Sequence, residues 1–200
     1  MEKEIINIYQ EKKDSIRKRL DEFRKLPEKE HFNEMIFCLL TPQSNAKKCW
    51  LAVQEVKKLK KWDEKIISET LRKYTRFHNN KTRYLILAKN QWPKIKVKLD
   101  GSDKKDIRNF LAENIKGYGL KEAGHFLRNI GKSNNEIAIL DRHILRNLKE
   151  LKVIKEEKIK NKKEYFKIEE KMIEYSKKIN IPIDELDLLF WSKENGEIFK

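Results

Sequence analysis

Two residues of this chain have the types and spacing that amine-based nucleophilic chemistry requires, Lys121 and Asp141. Lys121 follows the segment Gly117-Tyr118-Gly119-Leu120, and Asp141 lies twenty residues later, after an apolar run. The positive end of a helix dipole disfavours a protonated lysine, which would leave more of the amine free to attack. A fixed carboxylate would stabilise positive charge that develops on a substrate. From position alone, a solvated lysine and an N-capping aspartate are the commoner uses of such residues.

The two glycines before Lys121 predict a tight turn between two helices. Glycine tolerates backbone angles that other residues avoid, and it lets another backbone approach closely. The helix after Gly119 would point its unpaired N–H groups beyond the turn, which suits a phosphate. A Rossmann interpretation fails because no strand precedes the glycines. An ordinary turn between helices, with a glycine C-cap, remains the alternative.

The elements that must position these residues are predicted to be helices throughout. Apolar residues recur at helical spacing, and the chain has only six glycines and four prolines. We therefore predict an all-α protein. Before the turn at 100–101, helices are predicted over 3–25, from Pro27 to 40, from a Ser44 cap, and over 63–74 and 79–91. After that turn, helices are predicted from a Ser102 cap to 114, over 120–130, from an Asp141 cap over 142–152, and over 155–179 and 183–192.

The charge balance points to a polyanionic partner. Lysine and arginine outnumber aspartate and glutamate by 47 to 32, which gives a formal net charge of +15. Such a surplus attracts nucleic acid first and an anionic membrane surface second. Two cysteines, Cys38 and Cys49, cannot hold an iron–sulfur cluster or a closed zinc site. We expect no catalytic metal and, without a secretory signal or transmembrane run, a cytoplasmic protein.

Gly117-Tyr118-Gly119-Leu120-Lys121 followed by Leu140-Asp141-Arg142-His143 resembles the helix-hairpin-helix DNA glycosylase superfamily, which includes endonuclease III. Within it, the segment 121–131, the short chain, the missing cluster cysteines and the ending with Trp191 and Lys200 are most similar to type 2 8-oxoguanine DNA glycosylases. The resemblance implies two helical lobes with the active site in the cleft between them. Their limits would be 36–131 for one lobe and 1–35 with 132–200 for the other, with the helix-hairpin-helix over about 103–131.

The resemblance implies a bifunctional glycosylase and AP lyase that flips an oxidised guanine out of duplex DNA. Lys121 would attack C1′ of the deoxyribose, expel the base and form a Schiff base that proceeds to β-elimination. Asp141 would stabilise the positive charge on the sugar. Gly117 and Gly119 would hold the DNA backbone.

The resemblance also assigns residues around the target base. The carboxylate of Lys200 would accept from a purine N–H, and Gln43 would fill the gap that the base leaves. Phe77 and Trp191 could stack on either side of the purine, with a place in the core as the alternative for both. His125 lies one turn after Lys121 and could line the pocket by spacing, with a structural histidine as the alternative.

The family's hairpin can hold a monovalent cation on backbone carbonyls, here those of Glu113, Ile115 and Tyr118, and no other cofactor is expected. We expect a monomer that associates with the nucleoid. Three alternatives stay open: a non-catalytic helix-hairpin-helix DNA-binding module, a glycosylase for other damaged or mismatched bases, and a basic membrane-surface protein. The scattered charge argues against the last of these.

Overall fold

A computed structural model describes residues 2–200 and places ten helices among them, with no strand in that range. The all-α prediction is confirmed. The helices are α1 (Glu2–Arg24), α2 (Glu28–Leu40), α3 (Ala46–Lys57), α4 (Glu64–Arg72), α5 (His78–Lys98), α6 (Lys104–Asn114), α7 (Leu120–Asn129), α8 (Arg142–Glu150), α9 (Lys162–Lys178) and α10 (Ile183–Asn195).

The chain divides into two compact units. One is Leu26–Phe126, and the other joins the residues up to Lys25 with Leu127–Lys200. The lobe limits given from the sequence, 36–131 and 1–35 with 132–200, stay a prediction.

The unit Leu26–Phe126 is built on α2. Its run Met35–Leu40 is buried at six consecutive positions, as expected for a helix that packs on more than one side. α2 packs against α3 and α5, and α4 packs against α3 and α5. These contacts fix the ends of α2 and α5, whose neighbouring turns carry two candidate site residues.

The other unit is built on α10, which packs against α1, α8 and α9. A buried polar contact joins α1 to α10: the Tyr9 hydroxyl donates to the Glu185 carboxylate, which also lies 3.2 Å from the Arg17 guanidinium. Burial and the adjacent carboxylate raise the pKa of Tyr9 to about 12. The contact therefore keeps its proton at neutral pH.

Several helix limits differ from those predicted, and four of these differences have an identifiable physical reason. Asn45 rather than Ser44 caps α3, and Asp103 rather than Ser102 caps α6, in each case by accepting from the N–H three residues on. Ser44 is instead drawn into contacts with Thr75 and Arg76. Both predicted caps were therefore one residue early.

α5 continues through Pro93 to Lys98, although the sequence predicted its end before that proline. Pro93 lies on an exposed side, where the carbonyl that loses its partner can bind water. α9 begins at Lys162 rather than 155, with Asn161 as its cap. The segment 155–161 is mostly exposed and charged, so it lacks an apolar face that packing could stabilise.

Candidate active site

The predicted glycine turn is present between α6 and α7. Gly117 has φ +93°, and a Cβ there would lie 2.5 Å from Cδ2 of Tyr84. Only glycine fits both the backbone angle and the space. Tyr118 is buried and its hydroxyl donates to the Met35 carbonyl at 2.7 Å, which fastens the turn to α2. The hairpin is therefore a rigid part of its unit, and burial raises the pKa of Tyr118 well above its usual value.

The N-terminus of α7 is capped from within the helix. Oε2 of Glu122 accepts from the backbone N–H of Gly119 at 3.0 Å, which is one half of a capping box. The first-turn N–H groups that follow have no partner inside any helix. They remain available for an anion such as a phosphate oxygen.

Lys121 is the second residue of α7, within this first turn. Its side chain is 23% exposed, and its Nζ lies 3.5 Å from Oε1 of Glu122. Burial raises the pKa of the Cys49 thiol, and the positive charge of Lys121 partly opposes that rise. Lys121 is thus half-sheltered, held by one long ion pair and open to solvent.

Asp141 belongs to the other unit, and its predicted N-cap role is confirmed. Its carboxylate accepts from the N–H of Ile144 at 2.9 Å at the start of α8. The preceding segment Ile137–Leu140 is buried, which fixes the approach to the cap. One carboxylate oxygen is therefore held by the helix, and the second is available for another contact.

Two residues assigned to the target base, Gln43 and Phe77, have unusual backbones. Gln43 has φ +56° and Phe77 has φ +57°, the left-handed region that non-glycine residues seldom adopt. Phe77 is 52% exposed and Gln43 is also exposed, while the Arg76 guanidinium lies 5.4 Å from the centre of the Phe77 ring. An exposed aromatic ring on a constrained backbone is suited to stacking on a ligand.

The other assigned residues are less uniform. Trp191 is half-buried on α10, with its ring 6.4 Å from that of Phe199. Nζ of Lys200 lies 5.9 Å from the centre of the Phe23 ring. His125 is 7% exposed, and its ring packs edge-on against Phe37 at 5.6 Å. This packing fits the structural alternative for His125, and the base-pocket roles of all three stay predictions.

Sequence reasoning missed two residues near the site, Glu122 and Lys81. An acid three residues after a helix cap is a known capping signal, so Glu122 was detectable. Lys81 is 5% exposed at the start of α5 and binds oxygens of residues 40–44 and 75. No local pattern marks such a lysine.

Within residues 2–200, no group of three His, Cys, Asp or Glu side chains could hold a metal ion. The Ile115 carbonyl accepts from the N–H of Tyr118 at 3.1 Å, so a monovalent ion there would need its second lone pair. That ion on the carbonyls of Glu113, Ile115 and Tyr118 stays a prediction. No helix in the described range is both long and apolar enough to cross a membrane.

Known proteins resemble the chain in sequence over nearly its whole length. The 8-oxoguanine DNA glycosylase profile matches residues 16–181. A Fusobacterium nucleatum protein named 8-oxoguanine DNA glycosylase/AP lyase is 43% identical, covering 98% of this chain and 96% of its own. One of the same name from Methanocaldococcus jannaschii is 34% identical, covering 94% and 93%.

Solved structures agree. The 8-oxoguanine DNA glycosylase of Thermotoga maritima has a TM-score of 0.90 at 31% identity, covering all of this chain and 98% of its own. The M. jannaschii 8-oxoguanine glycosylase/lyase, in complex with a 15mer DNA containing 8-oxoguanine, has a TM-score of 0.89 at 32% identity. That match covers all of this chain and 99% of the other. The chain therefore belongs to the 8-oxoguanine DNA glycosylase family.

Proposed function

We propose that this protein removes 8-oxoguanine from duplex DNA and then cuts the strand at the resulting abasic site, with Lys121 as the nucleophile. The observation that carries the proposal is the placement of Lys121 two residues after a rigid glycine hairpin, in the first turn of α7. A phosphate on the hairpin would bring the adjoining deoxyribose near the amine. Relatives named glycosylase/AP lyase support both activities.

The reaction begins when the neutral Lys121 amine attacks C1′ of the flipped nucleotide. The glycosidic bond breaks, and the base leaves with the bonding electrons and takes up a proton. Loss of the amine proton and opening of the sugar ring give an imine between Nζ and C1′. Removal of a proton from C2′ then expels the 3′ phosphate by β-elimination, and water releases the enzyme.

Asp141 is proposed to stabilise the positive charge that develops on the sugar as the base departs. Its cap to Ile144 fixes the carboxylate before the substrate arrives, which is the preorganisation that electrostatic stabilisation needs. The same residue then serves stability and chemistry at once.

The DNA backbone is proposed to bind without sequence preference. The hairpin at Gly117 and Gly119 and the net charge of +15 supply N–H groups and cations for phosphates. We further propose that Phe77, Trp191, His125 and Lys200 contribute to the base pocket and that Gln43 fills the vacated position. We propose a monomer that works in the nucleoid without a cofactor.

The experiment compares matched duplexes that carry 8-oxoguanine, unmodified guanine, an oxidised pyrimidine or a mismatch. We expect excision and strand cutting at 8-oxoguanine and much slower cutting of the others. A protein that binds all duplexes and cuts none would be a non-catalytic DNA-binding module. Preferred cutting at another base would retain the chemistry and change the substrate.

A further inference from the structure

Lys81 is a buried cation without a role in the reaction described above. It is 5% exposed in the first turn of α5, and its Nζ lies within hydrogen-bond distance of four oxygens. It donates to the carbonyls of Leu40 at 2.7 Å and Pro42 at 2.9 Å, and to the hydroxyls of Ser44 at 3.0 Å and Thr75 at 2.7 Å. A buried ammonium with this many oxygen partners is held in one place.

The four oxygens belong to two separate turns, the Gln43 turn (residues 41–45, with the adjoining end of α2) and the Phe77 turn (residues 74–78). Ser44 and Thr75 also bond to each other, with their hydroxyl oxygens 2.8 Å apart. The N–H of Arg76 donates to the Ser44 hydroxyl at 3.1 Å. Lys81 therefore lies at the centre of a network that ties the two turns together.

Each turn carries an exposed side chain on a left-handed backbone, Gln43 at φ +56° and Phe77 at φ +57°. Such angles in non-glycine residues persist where the surroundings over-determine them. The Lys81 network meets both turns next to these residues, at Pro42, Ser44 and Thr75. Rigid presentation of two exposed side chains is useful when both must meet one ligand.

We propose that Lys81 is a positioning residue for base excision, which holds the Gln43 turn and the Phe77 turn at a fixed spacing on the DNA. In this arrangement Phe77 stacks on the everted purine, and Gln43 enters the space in the duplex that the purine has left. The inference rests on the proposed function. It adds a residue that touches neither the base nor the sugar.

The charge state of Lys81 supports this role. Burial lowers its pKa to about 8, the Cys49 thiol on α3 opposes that fall, and the Arg76 guanidinium adds to it. The ammonium has three N–H donors for four acceptors, while the neutral amine has only two. The protonated lysine therefore donates to one more of these oxygens than the neutral amine would.

The test compares Lys81→Met with Lys94→Met, an exposed lysine on the same helix. Each is assayed on a duplex with 8-oxoguanine and on a duplex with a preformed abasic site. We expect Lys81→Met to lose roughly tenfold in 8-oxoguanine excision, the scale of one lost base–aromatic stack, with abasic-site cutting within about twofold of wild type. An abasic sugar needs Lys121 but no stacked purine, so a general loss of folding would lower both rates together.

A second pair of variants covers the case in which Lys81→Met does not fold. Ser44→Ala and Thr75→Val each remove one acceptor and leave the lysine, and we expect a smaller but equally selective loss of excision. A 2-aminopurine opposite the lesion should report weaker insertion of Gln43 in these variants. Equal loss on both substrates, or no loss, overturns the positioning role. A wild type that does not excise 8-oxoguanine overturns the proposed function instead.

Discussion

Lys121 and Lys81 lie in the first turn of a helix in the same unit, yet they differ in exposure and in the number of oxygen atoms around the amine. Lys121 has a side chain 23% exposed and one ion-pair partner, a Glu122 oxygen 3.5 Å away. Lys81 is 5% exposed and binds four oxygens at 2.7–3.0 Å. The helix dipole acts on both cations in the same sense, so it cannot explain the difference.

The number and distance of the oxygen partners separate the two roles. A lysine whose N–H groups are all engaged cannot approach a carbon atom without breaking several hydrogen bonds. A lysine with one long contact can release it, lose a proton and attack. The comparison therefore assigns the nucleophile's role to Lys121, which is loosely held, and a structural role to Lys81, which is tightly held.

The largest expected effect is that of Lys121→Gln. Without the amine no Schiff base can form and no β-elimination can follow. Cutting at 8-oxoguanine should therefore fall by at least about 10³-fold. Thermal unfolding should be nearly unchanged, because the lost ion pair is partly exposed. A gel assay of strand cutting measures the effect. Residual cutting above about a tenth of wild type would remove Lys121 from the nucleophile's role.

Asp141 offers a pair of variants that separates cap from catalyst. Asp141→Asn keeps an oxygen for the Ile144 N–H, so excision should fall by about 10²–10³-fold with little change in stability. Asp141→Ala should lose the same activity and, in addition, about 0.5–2 kcal/mol of the free energy of unfolding. Rates and urea unfolding measure the two effects. Full excision by Asp141→Asn would reduce Asp141 to a structural cap.

The hairpin that places Lys121 is tested by Gly117→Ala. Alanine there would keep φ +93° against its preference and meet Tyr84 at 2.5 Å, so we expect a loss of about 1–3 kcal/mol in stability and weaker DNA binding. Gly119→Ala is the matched control, since its Cβ would meet only the flexible Glu122 carboxylate at 3.1 Å. Fluorescence anisotropy with a labelled duplex measures binding. Equal effects of the two changes would contradict the distinct geometry of Gly117.

Because the pKa of Lys81 is lowered in the folded protein, we expect the free energy of unfolding to depend on pH. Its pKa falls from 10.5 in the unfolded chain to about 8 in the folded one, so between these values the unfolded chain binds more protons. Stability contributed by this site therefore rises with pH, by about 1–2 kcal/mol from pH 8 to 10. The wild type minus Lys81→Met difference in urea unfolding isolates this part. A difference that falls across that range would contradict the lowered pKa of Lys81.

The smallest expected effect concerns Glu122. Glu122→Gln keeps an oxygen for the Gly119 N–H, while Glu122→Ala removes it and should cost about 0.5–1 kcal/mol in the free energy of unfolding. Urea unfolding of the two variants measures the cap by itself. If alanine and glutamine behave alike, the capping contact does not stabilise the hairpin.

The contrast between Lys121 and Lys81 also shows which features of the site can be predicted from the sequence. The glycine turn, the start of α7 and the Asp141 cap were predicted correctly, because each depends on residues within three or four positions. The Lys81 network could not be predicted, because its partners in residues 40–44 lie 37–41 positions away and meet it only when α2 packs against α5. That packing also explains the wrong cap at Ser44, whose hydroxyl is used by the network while the next residue, Asn45, caps α3.

The most direct test of the central claim is to identify which lysine carries the sugar. Wild-type protein is incubated with an 8-oxoguanine duplex and borohydride, and the reduced adduct is digested and located by mass spectrometry. We predict one dominant adduct on the peptide that contains Lys121, and none on the peptide that contains Lys81. An adduct on Lys81 or another lysine, or cutting of the lesion strand without any trapped adduct, would contradict the account.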